Sequence, residues 1–197
     1  MSPIISNTVN VEGCLVHYLE AGERESKIIV LLHGMKFKAE TWQELGTMDF
    51  LVSQGFRVVA VDMPGFGKSP ECDKTPVELL HAFFHVMSLS QVTLIGPSMG
   101  GKTSIEFAIA HGENLSALVL VGAVGVEENK SRLDRIQIPT LIVWGGEDAV
   151  SPLAMSDILV EELVDTQRVI IDGAPHPCYI DQPDQWHDVL KKFLINK

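Results

Sequence analysis

Apolar residues recur along this chain in two alternating patterns. Short continuous runs stand at residues 28–32, 56–61, 91–95, 117–121, 139–144 and 167–171. Runs of that length, bounded by Gly, Pro or charged residues, predict strands covered on both faces. Longer stretches with helical spacing lie between them, at about 40–54, 75–87, 99–111, 151–164 and 183–195. Val77, Leu80, Phe84 and Met87 share one helix face, as do Trp186, Val189, Leu190, Phe193 and Leu194. Two more strands, 8–12 and 14–19, meet at a tight Glu12-Gly13 turn and predict an antiparallel edge hairpin. Alternation of strand and helix implies an α/β fold with a doubly wound, mainly parallel sheet of about eight strands. No repeat, low-complexity tract or linker interrupts the pattern, and a chain of 197 residues fits one domain spanning 1–197.

Composition narrows the partners more than the fold. The formal net charge is −11. That balance argues against nucleic acid and anionic membrane surfaces as binding partners. No apolar run approaches the roughly 20 residues that span a bilayer. The first residues, Met1-Ser2-Pro3-Ile4-Ile5-Ser6-Asn7, lack the basic and apolar regions of a secretion signal. Three cysteines, Cys14, Cys72 and Cys178, are odd in number, far apart and without metal-ligand spacing. The expectation is a soluble protein of a reducing compartment, placed in the cytoplasm, with no metal and no cofactor.

The most informative segment is residues 96–103, Gly-Pro-Ser-Met-Gly-Gly-Lys-Thr. It satisfies two unrelated motifs. Gly96 to Gly100 form a G-x-S-x-G nucleophile elbow. Gly96 with Gly101-Lys102-Thr103 also forms a phosphate-binding loop, G-x-x-x-x-G-K-[ST]. The phosphate reading needs a metal-binding Asp at the end of a later strand. The next strand, Ala117 to Val121, runs into Gly122-Ala123 instead, and Pro97 removes one N–H from the cradle.

The elbow reading needs a carboxylate and then a histidine downstream, together with an oxyanion donor from an earlier loop. Asp148 follows the strand ending at Trp144-Gly145, and His176 follows the strand ending at Ile171. His33-Gly34 follows the strand Ile28 to Leu32. Each lies just past a strand end, the edge where sites assemble in open parallel sheets. The candidate catalytic residues are therefore Ser98 as nucleophile, His176 as base and Asp148 as its orienting carboxylate. The backbone N–H groups of Met35 and Met99 are the candidate oxyanion hole. Phe37, Met63, Phe66 and Tyr179 are candidate substrate-lining residues, with Met35 and Met99 beside them. Glu147, Asp172 and Asp181 compete with Asp148 for the carboxylate role, and Asp172 is the best substitute. His81 and His85 stand one helical turn apart without a third ligand, and read as helix surface. His187 reads as a solvated helix residue, and Cys178 as either a site-lining thiol or a buried one.

Between Gly122 and Pro139 only a short charged stretch separates two strands, room for one helix and no cap domain. An open site leaves little apolar wall for a long acyl chain, so acetyl to butyryl groups are the expected substrates. Taken together, the motifs predict a serine hydrolase acting on short acyl esters or amides through an acyl-enzyme. The alternatives are acyl transfer on the same triad and a non-catalytic binding protein with the same fold.

The chain resembles the α/β-hydrolase superfamily in His33-Gly34, Asp62-Met63-Pro64-Gly65-Phe66-Gly67-Lys68-Ser69, Gly96 to Gly100, Gly145 to Asp148, and Gly173 to His176. It is more closely similar to the capless α/β-hydrolase domain-containing protein 14 family. Leu31 to Phe37 with Glu40-Thr41-Trp42-Gln43, Val61 to Ser69, and most specifically Gly173 to Asp181 with Pro183 and Trp186-His187 carry that resemblance. It implies Ser98, Asp148 and His176 as the triad. It also implies hydrolysis of small acyl esters and removal of acetyl groups from protein lysines, with coenzyme A as acceptor. Gly100 stands where that family's pattern has a serine, which brings the elbow closer to the general hydrolase form.

Overall fold

The computed structural model describes residues 3–195. Eight strands form one sheet: β1 Ile5–Val11, β2 Cys14–Ala21, β3 Ile28–Leu31, β4 Arg57–Val61, β5 Val92–Pro97, β6 Leu115–Val121, β7 Thr140–Gly145 and β8 Thr166–Ile171. Their order across the sheet is β1-β2-β4-β3-β5-β6-β7-β8. The first two pairings, β1 with β2 and β2 with β4, are antiparallel, and every later pairing is parallel. The expected fold class is therefore the observed one, edge hairpin included.

Among the described residues eight α-helices accompany the strands, the last two following β8: α1 Ala39–Glu44, α2 Thr47–Ser53, α3 Pro76–Val86, α4 Met99–His111, α5 Val126–Asn129, α6 Ala154–Glu162, α7 Cys178–Asp181 and α8 Pro183–Ile195. Alternate strand residues face opposite sides, so each interior strand feeds two cores. On one side Leu94, Leu118, Leu120 and Ile142 pack against Phe83 and Phe84 of α3, Phe107 of α4 and Leu159 of α6. On the other, Ile95, Val119, Val121 and Val143 pack against Trp42, Met48 and Leu51 of α1 and α2 and Trp186, Leu190 and Phe193 of α8. Burial on both faces is why these strands read as continuous apolar runs. Between β6 and β7 the chain makes only α5 and a 3-10 turn at Lys130–Arg135, so no cap domain is inserted there.

The helices differ from expectation in three places. The helix expected at 40–54 is two helices, because Gly46 takes a left-handed φ of 71° and turns the chain between them. The helix expected from 151 begins at Ala154, since the backbone N–H groups of Val150 and Ser151 are donated to Asp148 Oδ1 instead. The one-turn helix α7 was not anticipated; four residues are too few to show a period.

Cys14 and Cys72 form a disulfide across 58 residues of sequence, with Cα atoms 5.8 Å apart, while Cys178 is free and buried. Nothing in the spacing of the cysteines foreshadowed this pair, which ties the start of β2 to the loop before α3. Disulfides persist mainly in oxidising compartments, so the state of this pair in purified protein reports directly on the reducing location expected from the sequence. Thiol titration of unfolded, unreduced protein should count Cys178 alone; all three cysteines titrating without reductant would remove the crosslink. Reducing the bond should lower stability by about 2–4 kcal/mol, as for a long closed loop.

Candidate active site

The site grows from the turn between β5 and α4. Ser98 is the single residue between them and adopts φ 52°, ψ −115°. A non-glycine residue held there costs on the order of 1–3 kcal/mol, and persists only where neighbours fix it. Three backbone bonds do so: Ser98 N–H donates to the Val121 carbonyl, while the Ser98 carbonyl accepts from Lys102 and Val124. Glycine at position 96 is enforced by close approach, since a Cβ there would lie 2.3 Å from the Gly100 carbonyl oxygen. The result lifts the Ser98 side chain off the sheet edge at the N-terminus of a thirteen-residue helix.

His176 and Asp148 arrive on two loops stitched to each other. Gly146 N–H donates to Ile171 O at 2.9 Å and Glu147 N–H to Ala174 O at 3.0 Å. Gly145 permits this approach, because a Cβ there would meet Pro175 O at 2.3 Å. Asp148 is buried, and its Oδ1 accepts from the N–H groups of Val150 and Ser151 at 2.9 and 2.8 Å. Its Oδ2 lies 2.7 Å from His176 Nδ1. A carboxylate accepts, so Nδ1 carries the proton and Nε2 is left as an acceptor. Ser98 Oγ donates to that Nε2 at 2.8 Å. The three residues thus form one directed hydrogen-bond chain. The rivals are elsewhere: Glu147, Asp172 and Asp181 are all exposed.

A cavity of about 310 Å³ opens beside Ser98 and His176, with Met35, Phe37, Val121, Val150 and Tyr179 among its walls. Phe37 and Tyr179 are therefore where the sequence suggested. Met63 and Phe66 are not: they line a neighbouring cavity of about 250 Å³ together with Cys72 and Met99. Their loop passes on the far side of His33, against whose ring Phe66 packs at 5.1 Å. Val121, Val150, Pro97 and Pro177 were not anticipated as cavity walls, since their placement depends on which strand ends are neighbours. Cys178 is fully buried, and burial, with Asp148 nearby, pushes its thiol up to about 12. It is a packed hydrophobe rather than a nucleophile. His187, expected to be solvated, is half-buried: it stacks on Phe50 and hydrogen-bonds Thr47, joining α8 to α2. His81 is exposed and stacks on His111, and no group of three metal-ligating side chains occurs among the described residues.

The loop after β3 is held by His33 and Asp62, whose hydrogen-bond partners the sequence did not show. His33 Nδ1–H donates to Gly34 O at 2.9 Å, and Met63 N–H donates to His33 Nε2 at 3.1 Å. Fully buried Asp62 accepts from Ala39 N–H at 2.7 Å, from Lys68 N–H at 2.9 Å and from His17 Nδ1–H at 2.7 Å. His17 Nε2 in turn accepts from Ser6 Oγ at 2.8 Å. This is a second Ser-His-Asp chain with the same spacing as the first. Ser6, however, lies within strand β1, with no turn into a helix beside its hydroxyl. Its chain works as a brace that locks the loops after β3 and β4 together.

Burial lowers the pKa of His33, against the opposing pull of the Gly34 carbonyl and Asp62. The unfolded chain therefore binds a proton more readily than the folded one. Stability from His33 is complete above the ordinary histidine pKa of about 6.5 and is lost as pH falls from there through the lower folded value. His111 and His187 are lowered by burial too and add the same sign. Thermal unfolding between about pH 7.5 and about pH 5.5 should show a midpoint that falls with acid, less steeply in His33→Gln than in wild type. Equal slopes would remove His33 as a contributor.

Comparison with known proteins places this geometry. Residues 27–131 match the family model described as alpha/beta hydrolase fold. A Rattus norvegicus protein, ABHD14B, whose name proposes a protein-lysine deacylase, is 33% identical over 95% of this chain and 94% of its own. The Danio rerio protein ABHD14A is 36% identical over 84% of this chain and 63% of its own. A crystal structure from Thermoplasma acidophilum, described as a predicted CIB-like hydrolase, superposes with a TM-score of 0.96 at 25% identity and covers all of both chains. Fold, strand order and relatives agree, and the chain belongs to the α/β-hydrolase superfamily, in the ABHD14 family.

Proposed function

We propose that this hydrolase is a serine enzyme that removes short acyl groups from esters or amides through an acyl-enzyme on Ser98. The observation that carries the reading is the directed chain from Asp148 through His176 to Ser98, ending at the mouth of an apolar cavity. A serine hydroxyl is a weak nucleophile and needs an adjacent base. His176 Nε2 accepts the Ser98 proton as Oγ attacks the acyl carbonyl, then returns it to the departing alcohol or amine. Asp148 keeps the imidazole in the tautomer that can accept and stabilises its charged form. A water, activated by the same histidine, then releases the acid. Negative charge on the tetrahedral oxygen is met by the backbone N–H of Met99 at the start of α4 and by that of Met35, each such donor being worth about 3–4 kcal/mol.

No cofactor takes part in this scheme, and the substrate is a small acyl ester or acyl amide. A specific relative favours a second reading on the same residues. ABHD14B carries the name of a proposed protein-lysine deacylase, which makes an acetylated protein side chain a candidate substrate here. Coenzyme A as acyl acceptor is the transferase form of that reading.

Turnover of p-nitrophenyl acetate, with fluorophosphonate labelling in parallel, tests the proposal. Ser98→Ala should lose both, and Asp148→Asn should fall by about 10⁴ in kcat, the size seen when a triad loses its orienting carboxylate. Equal rates in wild type and Ser98→Ala would sink the serine mechanism. Across acyl lengths, acetyl to butyryl should be preferred; octanoyl esters turning over faster would contradict the short-chain assignment. Adding coenzyme A should leave free acetate as the product, and acetyl-coenzyme A in its place would select the transferase.

A further inference from the structure

Deepening the serine-hydrolase reading, on which it rests, we propose that the cavity at Ser98 favours acyl groups ending in a negative charge. These are half-esters or half-amides of dicarboxylic acids of about five carbons, with Lys36 as the specificity-determining cation. Among the described residues, Lys36 is the one lysine or arginine bordering this cavity, and no carboxylate borders it. The loop that bears Lys36 also bears Met35, the proposed oxyanion donor, so the cation stands close to the reacting carbonyl.

Its lack of a partner is the informative feature. The neighbouring cations, Lys38 and Lys68, both pair with Glu40, at 3.8 and 2.9 Å. Lys36 is exposed, and among the described residues no ion pair holds it. Glu44, in the groove on the other side of the loop, is not paired with it either. In a chain with 26 acidic and 15 basic residues, a free lysine at the cavity rim stands against the general charge balance. Elsewhere the acidic surface repels an anionic substrate; at Lys36 it meets a local attraction. Beyond Val150 the opposite flank carries Glu127, and Glu128 there is paired with Lys102, so what free charge stands on that side is negative and favours an anionic tail toward Lys36.

The same walls explain why the charge belongs on the acyl group. Phe37, Tyr179, Val121 and Val150 offer apolar surface to a few methylenes, and Lys36 then meets the group at their end. A longer neutral chain would instead press its apolar tip against an ammonium.

The test compares two esters of equal length, monoethyl glutarate and ethyl valerate, by the ratio of their kcat/KM values. Wild type should favour the glutarate by about fivefold, the scale of one exposed ion pair. The ratio should fall to about one in Lys36→Gln and invert in Lys36→Glu. Lys191→Gln, on the exposed face of the C-terminal helix, changes net charge equally and should keep the wild-type ratio. High salt should shrink the wild-type preference, since exposed charges are screened. If both esters are cleaved but the ratio is the same in wild type, Lys36→Gln and Lys36→Glu, the proposal is overturned and the hydrolase reading stands. If neither ester is cleaved, the proposal falls as well. Reaction of Ser98 with a fluorophosphonate then decides whether the hydrolase reading falls with it.

Discussion

The strained backbone at Ser98 is the constraint from which the rest of the site follows. A residue with φ 52° can turn a strand into a helix without an intervening loop, so the hydroxyl and the helix N-terminus emerge at one point. The turn is held by a bond to Val121 on the adjacent strand, and the next connection, from Gly122, reaches Val143. Parallel neighbours therefore deliver their ends to a common edge, where the loops after β7 and β8 fold onto one another. Sheet burial on both faces supplies the stability that offsets the local strain.

This molecule holds two Ser-His-Asp hydrogen-bond chains of like geometry in unlike surroundings. Ser6, His17 and Asp62 repeat the hydrogen-bond spacing of Ser98, His176 and Asp148 almost to the tenth of an ångström. One serine sits inside an edge strand and the other at a strand-to-helix turn facing a cavity. What separates them is surroundings: a developing oxyanion needs N–H donors placed ahead of time, which a helix start offers and a strand interior engaged in pairing does not. The Asp62 chain instead fixes the loops that carry Met35 and Met63, and so contributes to the rigidity of the first site from about the far side of His33.

Much of this was legible in the sequence because strand ends announce themselves. Ser98, Asp148 and His176 each follow an apolar run, in the order a hydrolase needs, and the structure brings all three together. The interior strands were legible because two-sided burial demands continuous apolar residues, and the edge hairpin was legible from its Glu12-Gly13 turn. Illegible were features that depend on which loops become neighbours. Met63 and Phe66 sit beside the motif in sequence, yet the turn at Gly65 and Gly67 carries them into a different cavity from Ser98. The Cys14–Cys72 pair joins segments that only the fold brings within reach. Asp62 showed itself as part of a loop motif, but its three-way role needed the positions of His17, Ala39 and Lys68. Gly46, a residue that tolerates a helix at some cost, gave no warning that it would break one.

In the proposed mechanism Ser98 carries the acyl group between two half-reactions. The most direct measurement is the mass of the intact protein after brief exposure to an activated acetate ester and acid quench, followed by peptide mapping. The account predicts a gain of one acetyl group, located on the peptide containing Ser98 and absent after Ser98→Ala. Turnover with no adduct on Ser98 under any quench time, or an adduct on another residue that accounts for the rate, would contradict it.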